Sequence, residues 1–318
     1  MTVLVTGSSG FVGTNLIKQL KKIGFKNIIG VDKKPPQLDH ILDNFYQLDI
    51  ANESFIDNIV SLIPDKIDYI FHLAAQTSSR VSEENSYLDI STNCFGTSQI
   101  IKFAELKGQK SKIFPKIIFM SSMAIYGNSK LPFKETMRPK PNSVYGISKV
   151  FGEMLLEKYK ENGGEYIITR LFNCYGPYQD MTNDKQGMLS IFLNQGVEFG
   201  EYSVTGSLNR TRDFIYIDDV VKIITNESFL KLNATTLNLC SGFEISVKKL
   251  IEEISNIIDI PKNNIKINQL GNHAGDTNRS LGDFTKLHQC LIGSEISDFK
   301  LTPLSVGIRK FKEYLDGL

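Results

Sequence analysis

Residues 6–13 read TGSSGFVG, with three glycines spaced three apart, directly after the apolar run Thr2–Thr6. Such a run predicts a buried strand, and the helical pattern over Phe11–Gly24 predicts the helix that follows it. A glycine loop at this junction permits a tight turn and lets the helix approach the sheet closely. It also leaves free N–H groups at the helix N-terminus, where a pyrophosphate binds well. The stretch therefore predicts a dinucleotide-binding cradle made of Gly7, Gly10, Phe11, Val12 and Gly13.

Asp32 stands at the end of the second predicted strand, directly after Asn27–Val31, at the spacing of about 20 residues where an acid binds the adenosine ribose diol. A carboxylate at this point repels the 2′-phosphate of NADP, so the sequence favours NAD. Lys33 and Lys34 follow immediately and make this preference less sharp.

Short apolar runs alternate with helical patterns through the first half of the chain, which predicts right-handed crossovers and a parallel sheet. After Leu171 the alternation stops at residues 173–187, which are rich in Gly, Pro, Asn and Asp and predict a loop. We expect an α/β fold of the doubly wound, Rossmann type with a smaller α/β lobe. The expected division is 1–171 with 209–240 for the dinucleotide and 172–208 with 241–318 for the second lobe. The other predicted strands are Phe45–Leu48, Tyr69–Leu73, Lys116–Met120, Tyr166–Leu171, Asp213–Ile217 and Thr236–Leu239, and the other predicted helices are Ser54–Leu62, Asn93–Lys107, Val144–Asn162, Val247–Ile258, Asp283–Cys290 and Ser305–Leu315.

The composition excludes several classes of protein. The 318 residues carry 36 Lys and Arg against 35 Asp and Glu, so a net charge of +1 gives no electrostatic reason to bind nucleic acid or an anionic membrane. The four cysteines lack the spacing of a zinc or redox motif, and we expect buried thiols and no metal. No apolar run reaches about 18 residues, and a strand begins at Thr2, where a signal peptide would stand. We expect a soluble, cytoplasmic protein.

A tyrosine and a lysine four residues apart, Tyr145 and Lys149, open the predicted helix over 144–162. Residues at this spacing share a helix face, so the phenol and the ammonium can point into one site. The strand before them ends in Ser121-Ser122, at the carboxyl edge where open α/β sheets bind ligands. A nearby cation and an oxidised nicotinamide lower the pKa of a tyrosine. Ser122, Tyr145 and Lys149 are therefore the candidates for a proton- and hydride-transfer site.

The chain resembles the extended short-chain dehydrogenase/reductases of the nucleotide-sugar epimerase/dehydratase group. The resemblance covers nearly the whole chain and follows the family's motif order. The motifs are TGSSGFVG (6–13), Asp32, LDI (48–50), HLAA (72–75), Asn93, MSSMAIYG (120–127), YGISK (145–149), RLFNCYGP (170–177), RDFIYIDDV (212–220) and GDTNRSLGD (275–283).

This resemblance implies a set of binding residues for NAD and for a nucleotide-diphosphate sugar. It implies that Asn173 contacts the phosphates of the sugar nucleotide and that Arg212 holds its pyrophosphate. Only seven of the cations are Arg, and Arg170, Arg210, Arg212 and Arg279 stand in or beside these motifs. The further residues implied to bind NAD are Asp49, Ile50, Ala74, Ala75, Asn93, Tyr145 and Lys149.

The residues after Ser122 narrow the reaction. Where the 4,6-dehydratases carry Asp-Glu, this chain has Met123 and Ala124, and the decarboxylating relatives keep a Glu at the second position. Neither Met nor Ala carries a proton, which leaves 4-epimerisation or 4-keto reduction. Epimerisation at another carbon, and a noncatalytic dinucleotide sensor, are the remaining alternatives. We expect C4 epimerisation of a UDP-hexose, with Tyr145 exchanging the C4 hydroxyl proton.

The C-terminal motif gives a hint about the sugar. Epimerases restricted to glucose and galactose carry a bulky Tyr four residues after the position of Asp276, and this chain has Ser280 there. The small residue favours UDP-GlcNAc/GalNAc over UDP-Glc/Gal. His273 stands where many relatives have a nucleotide-contacting Arg, and Arg279 is the candidate replacement. We also expect a homodimer built on helix faces, with Val150, Phe151, Met154 and Leu155 as its apolar stripe.

Overall fold

The computed structural model describes residues 1–38, 41–271, 278–292 and 300–318. Its centre is a seven-stranded sheet in the order β10-β6-β5-β4-β1-β2-β3, and every pair of neighbours is parallel. In the described ranges the strands are β1 (Thr2–Thr6), β2 (Asn27–Asp32), β3 (Asn44–Gln47), β4 (Tyr69–His72), β5 (Lys116–Ser122), β6 (Glu165–Leu171), β7 (Asn173–Tyr175), β8 (Glu201–Thr205), β9 (Thr211–Tyr216), β10 (Thr235–Leu239), β11 (Glu244–Ser246) and β12 (Lys266–Leu270).

Helices cover both faces of this sheet. In the described ranges the α-helices are α1 (Phe11–Lys22), α2 (Phe55–Ile59), α3 (Ser79–Glu84), α4 (Thr97–Ser111), α5 (Val144–Glu161), α6 (Met188–Phe199), α7 (Ile217–Ile224), α8 (Glu227–Leu230), α9 (Val247–Ile257), α10 (Thr285–Leu291) and α11 (Leu304–Asp316). A π-helical stretch, Asp89–Gly96, runs into α4, and 3-10 turns lie at Met123–Tyr126 and Lys262–Asn264. None of the helices in the described ranges is long and apolar enough to cross a membrane.

The inner strands β1, β4 and β5 of the central sheet are buried on both sides, which is why their sequences are largely apolar. In β1, Val3 and Val5 belong to one core cluster, and Leu4, between them, belongs to the cluster on the other face. Successive side chains of a strand point to opposite faces, so each face receives its own apolar set. The doubly wound α/β fold expected from the sequence is confirmed.

Two smaller sheets lie outside the central one. The first has the order β11-β9-β7, and the second pairs β8 with β12 in parallel. The chain leaves the central sheet at Phe172, directly after β6, and returns to it with β10, which pairs with β6. The division into two lobes with the boundaries given above stays a prediction.

The sequence interpretation missed several elements of the second half. It gave no helix at α6, and it extended a strand to Ile217, where the structure begins α7. In α7, Ile217, Val220, Val221 and Ile224 are buried at helical spacing, so the helical period decides the conformation there.

Candidate active site

The glycine loop packs the first helix tightly onto the sheet. Gly7 has φ of +71°, and its N–H donates to the carbonyl of Val31 at 2.8 Å. A Cβ on Gly7 would lie 2.6 Å from the backbone nitrogen of Ala74, and one on Gly13 would lie 2.1 Å from the carbonyl oxygen of Gly7. These two glycines are required by backbone packing. Gly10 is exposed and faces a cleft.

This cleft, of about 680 Å³, runs along the carboxyl ends of β1, β2 and β4. Helix α1 begins against it, with Gly10 at the N-cap and no side chain capping the free N–H groups. Free N–H groups and the helix dipole make this end attractive to a phosphate. The predicted cofactor residues that line the cleft are Gly7, Gly10, Phe11, Val12, Gly13, Asp32, Asp49, Ile50, Ala74 and Ala75.

Asp32 is held at one wall of the cleft by backbone donors. The N–H of Ser9 donates to its Oδ2 at 3.0 Å, and the N–H of Lys34 donates to its Oδ1 at 2.9 Å. These bonds fix the carboxylate beside the glycine loop, where it can accept from a diol. Lys33 and Lys34 line the same cleft, so the wall carries both charges.

A second cavity of about 290 Å³, here called the sugar pocket, adjoins the cofactor cleft. Ser122 reaches it from the end of β5, and Tyr145 and Lys149 reach it from the first turns of α5. A Cβ on Gly146 would lie 2.7 Å from the carbonyl oxygen of Ala124, so this glycine lets α5 approach the segment after β5. The structure therefore brings together the three side chains that the sequence singled out.

The trio is buried, and burial controls its acidity. Tyr145 shares a hydrogen bond with the Ser122 side chain, but burial raises the pKa of the phenol to about 12. In the protein alone, the cost of burying a phenolate outweighs that hydrogen bond. A pKa of Tyr145 lowered by a nearby cation together with an oxidised nicotinamide stays a prediction. Burial lowers the pKa of Lys149 to about 8. Its Nζ donates to the carbonyl of Met120 at 3.0 Å and lies 5.9 Å from the centre of the Tyr145 ring.

Met123 and Ala124 both line the sugar pocket. The positions that would carry an acid and a base in a dehydratase are thus inside the site, and their side chains cannot exchange a proton. Asn173 also lines this pocket, and its Nδ2 donates to the carbonyl of Asp213 at 2.8 Å.

Asn93 lies behind the cofactor cleft, not in its wall. Its amide nitrogen donates to the carbonyl of Gln76 at 2.9 Å, to Ser148 Oγ at 2.9 Å and to Asp89 Oδ1 at 3.1 Å. Its Oδ1 accepts from the N–H of Gln76 at 2.8 Å. These hydrogen bonds position Asn93 within the protein, and its contact with the cofactor stays a prediction.

Several predicted substrate residues stand apart from both cavities. Ser280 is fully buried and is not part of the sugar pocket wall, so the structure gives no support for the room inferred from its size. Arg279 pairs with Glu244 on the surface, and Arg212 is buried and donates to the carbonyl of Thr211 at 2.8 Å. Asp276, like His273, lies outside the described residues.

Arg170 is not a phosphate ligand. Its guanidinium forms a buried ion pair with Glu153, with Nη2 2.7 Å and Nε 3.0 Å from the carboxylate oxygens. His72 is a hydrogen-bonded core histidine, between Thr6 Oγ1 at 2.7 Å and Thr97 Oγ1 at 2.9 Å. The cysteines are free thiols, and the described residues contain no cluster of metal-ligating side chains.

The sequence analysis missed three polar residues that line both cavities: Thr77, Gln179 and Gln186. They lie in loops and belong to no motif with a chemical rationale. Only the packing of these loops against each other places them at the junction of the cofactor cleft and the sugar pocket.

The chain is similar to known proteins in both sequence and structure. The model of a family described as the NAD dependent epimerase/dehydratase family matches residues 3–226. A dTDP-4-dehydro-6-deoxyglucose reductase of Escherichia coli is 32% identical over 265 residues, covering 79% of this chain and 80% of the relative. A UDP-glucose 4-epimerase of Mycolicibacterium smegmatis is 28% identical over 271 residues, covering 82% and 84%. The crystal structure of a Thermotoga maritima UDP-glucose 4-epimerase with UDP-glucose superposes with a TM-score of 0.86 at 29% identity, covering 100% of this chain and 99% of that one.

Proposed function

The chain belongs to the NAD dependent epimerase/dehydratase family, and from this premise we propose that it is an NAD-dependent epimerase acting at C4 of a UDP-hexose. One observation carries the proposal. Ser122, Tyr145 and Lys149 meet at the sugar pocket beside the cofactor cleft, while the neighbouring Met123 and Ala124 exclude the acid–base pair of a dehydratase.

The cleft fits a dinucleotide. The uncapped N-terminus of α1 suits the pyrophosphate, and Asp32, fixed by two backbone donors, suits the adenosine ribose. Asp49 and Ile50 would hold the adenine, with Ala74 and Ala75 beside the phosphate and ribose. When bound there, NAD would supply the hydride acceptor and donor for chemistry at C4 of the sugar.

The protein's own groups handle the proton. Tyr145 takes the proton of the C4 hydroxyl and returns it after the keto sugar has turned over in the pocket. Ser122, hydrogen-bonded to Tyr145, holds the C4 oxygen in line with the phenol. Lys149, one helical turn from Tyr145, stabilises the phenolate with its positive charge. In the protein alone the pKa of Tyr145 is raised, and a bound oxidised cofactor would supply a second positive charge that favours the phenolate.

The nucleotide end of the substrate is assigned to the second lobe. Asn173 faces the sugar pocket and would contact the phosphates. We keep Arg212, with Asp276, Arg279 and Ser280, as proposed substrate residues on the family resemblance. The relatives named above act on UDP- and dTDP-sugars, and UDP-GlcNAc/GalNAc and UDP-Glc/Gal are the two pairs to distinguish.

The experiment is to incubate the purified protein with UDP-, GDP-, CDP- and dTDP-hexoses and to separate the C4 epimers. We expect interconversion of one UDP-hexose pair without added cofactor, together with NAD(H) that copurifies with the protein. A protein that binds NAD(H) and inverts no sugar nucleotide contradicts the proposal.

A nucleotide-sugar 4-reductase is the second candidate, and the reductase of E. coli at 32% identity favours it. A reductase consumes one NADH or NADPH for each 4-keto sugar and releases the oxidised cofactor. Stoichiometric oxidation of NADPH with a dTDP-4-keto sugar, and no epimerisation, decides for the reductase.

We further propose that two copies associate through α5 and the π-helical stretch before α4. Ile147, Phe151 and Met154 are exposed along one face of α5, and Ile90 and Phe95 are exposed on the neighbouring stretch. Val150 and Leu155, expected in the same stripe, pack instead against core clusters. Phe151→Glu with Met154→Lys should convert a dimer to a monomer in sedimentation velocity, and an unchanged sedimentation coefficient excludes this face.

A further inference from the structure

One wall of the cofactor cleft is a loop with no role in the proposed chemistry. Residues 178–186, here called the strap, contribute five side chains to that wall. Gly176 and Gly187 flank the strap with φ of +141° and +87°, conformations that favour glycine. Positions of this kind can absorb the dihedral changes of a moving loop. The lining residues of the strap are Tyr178, Gln179, Asp180, Asn183 and Gln186.

The start of the strap is anchored to the body of the protein. Asn15 Nδ2 on α1 donates to the carbonyl of Pro177 at 2.9 Å, and Lys18 Nζ donates to the hydroxyl of Tyr178 at 3.0 Å. The ring of Tyr178 also packs 5.0 Å from that of Tyr314 on α11. These contacts hold Tyr178 at φ of +68°, a conformation that is costly for a residue with a side chain.

The end of the strap is fastened to the segment around α3. Thr77 Oγ1 donates to Gln186 Oε1 at 2.9 Å, and Ser78 Oγ donates to the carbonyl of Lys185 at 2.8 Å. The ammonium of Lys185 pairs with Glu84, the last residue of α3. We call these three contacts the latch. Thr77 and Gln186 line the cleft, so the latch lies at its rim.

The middle of the strap has weaker ties. Asp180 Oδ1 accepts from the N–H and the hydroxyl of Thr182, and Asn183 Oδ1 accepts from the N–H of Lys185, so these hydrogen bonds are local. The Oε1 of Gln179 is buried and has no hydrogen-bond partner among the described residues. A buried acceptor of this kind is costly until a donor reaches it, which points to a ligand that completes the strap.

We propose that the strap closes over the bound dinucleotide and that release of the latch sets the rate at which the dinucleotide leaves. The inference rests on the proposed function in one respect, the identity of the molecule in the cleft. An epimerase that returns the hydride to the same substrate molecule benefits from a cofactor that stays bound, and the latch provides a physical means of retention. Thr77, Ser78, Lys185 and Glu84 are thus positioning residues for the cofactor.

The test is the dissociation rate of NADH, followed by its fluorescence when excess NAD displaces it. The double variant Ser78→Ala/Glu84→Gln removes two of the three latch contacts, and we expect release to become roughly tenfold faster. Hydrogen exchange of the amides over 178–187 should speed up as well. The matched control is Glu161→Gln, which removes an exposed ion pair with Lys158 and should leave both rates unchanged.

If the folded double variant releases NADH at the same rate as the control, the proposal that the strap retains the dinucleotide is overturned. Should the double variant lose its cooperative thermal transition, Thr77→Val tests the remaining contact with the same assay and the same criterion. The result also separates the two proposals. Faster release without any sugar epimerisation supports the strap and contradicts the proposed reaction, whereas a protein that binds no NADH contradicts both.

Discussion

Lys149 and Glu153 are buried charged residues one turn apart on helix α5, and their surroundings differ sharply. Glu153 accepts from Ser121 Oγ at 2.5 Å and from two nitrogens of Arg170 at 2.7 and 3.0 Å. Through Arg170 the network continues to the hydroxyl of Tyr126 at 3.0 Å, which in turn donates to Asn238 at 2.7 Å. Every member has a partner, as in a structural network.

Lys149 has fewer hydrogen-bond partners than Glu153. Its Nζ makes one hydrogen bond, to the carbonyl of Met120, and otherwise lies over the rings of Phe119 and Tyr145 at 5.2 and 5.9 Å. Burial without full compensation shifts the pKa of a group, and such groups concentrate at reactive sites. The turn of α5 around Glu153 therefore fixes the helix on the sheet, and the turn around Lys149 presents a cation and a phenol to the pocket.

The largest expected effect is on kcat, and it distinguishes two buried tyrosines. Tyr145 lies beside Lys149, and Tyr126 belongs to the Glu153 network. Burial raises the pKa of both Tyr145 and Tyr126 to about 12. Tyr145→Phe should lower kcat by about 10³-fold because it removes the proton donor and acceptor, while NAD binding persists. Tyr126→Phe, the matched control, should keep turnover and lose stability. Initial rates and NAD titrations measure both, and equal kcat losses would contradict the division.

The next prediction concerns the contribution of the Glu153–Arg170 ion pair to stability. Glu153→Gln leaves the guanidinium of Arg170 buried without a counter-charge, which should cost about 3–5 kcal/mol of unfolding free energy. Urea denaturation measures this loss. Glu161→Gln, on the exposed end of the same helix, should give no measurable change. A Glu153 variant as stable as that control would show that the network contributes little to the fold.

The third prediction concerns Lys149, and here the expected change in stability has the opposite sign. Lys149→Met should stabilise the protein at pH 7 by about 1–3 kcal/mol, because a poorly solvated ammonium is removed, while turnover falls by about 10²-fold or more. The folded pKa of about 8 lies below the ordinary 10.5. The parent protein therefore gains stability as the pH rises from about 8 to 10.5, and the variant should lack that slope. A destabilised Lys149→Met protein contradicts the interpretation.

The effect that is smallest at pH 7 concerns His72, the neutral neighbour of this cation. Burial, and to a lesser extent the charge of Lys149, lower the pKa of the imidazole to about 3. The unfolded chain takes up the proton near pH 6.5 and the folded protein does not. Stability should therefore fall between pH 6.5 and 3, by about 1.4 kcal/mol for each pH unit from this group. His72→Gln should flatten that slope in thermal unfolding, and an unchanged slope rules out this cause.

The sequence predicted the central sheet well because its strands are buried on both faces. A run such as Ile117–Met120 has no polar residue to obscure it, and the predicted strand Lys116–Met120 falls inside β5. The second half was harder to predict. Helix α6 buries only one side of a mixed apolar sequence and follows a glycine-rich loop, and β8 pairs with β12 from a distant part of the chain. Neither pairing nor burial of that kind has a local signature.

The site divides in the same way. Glycine spacing, the acid after the second strand and the four-residue spacing of Tyr145 and Lys149 are local geometric requirements. The sequence alone therefore predicted a dinucleotide cradle and a candidate proton-transfer pair. Only the tertiary structure decided which polar groups are already satisfied. It assigned Arg170 to Glu153 and Asn93 to its neighbours, and it placed Gln179 and Gln186 at the junction of the two cavities. A hydrogen bond between residues far apart in the chain depends on how the loops pack, and no periodicity in the sequence encodes it.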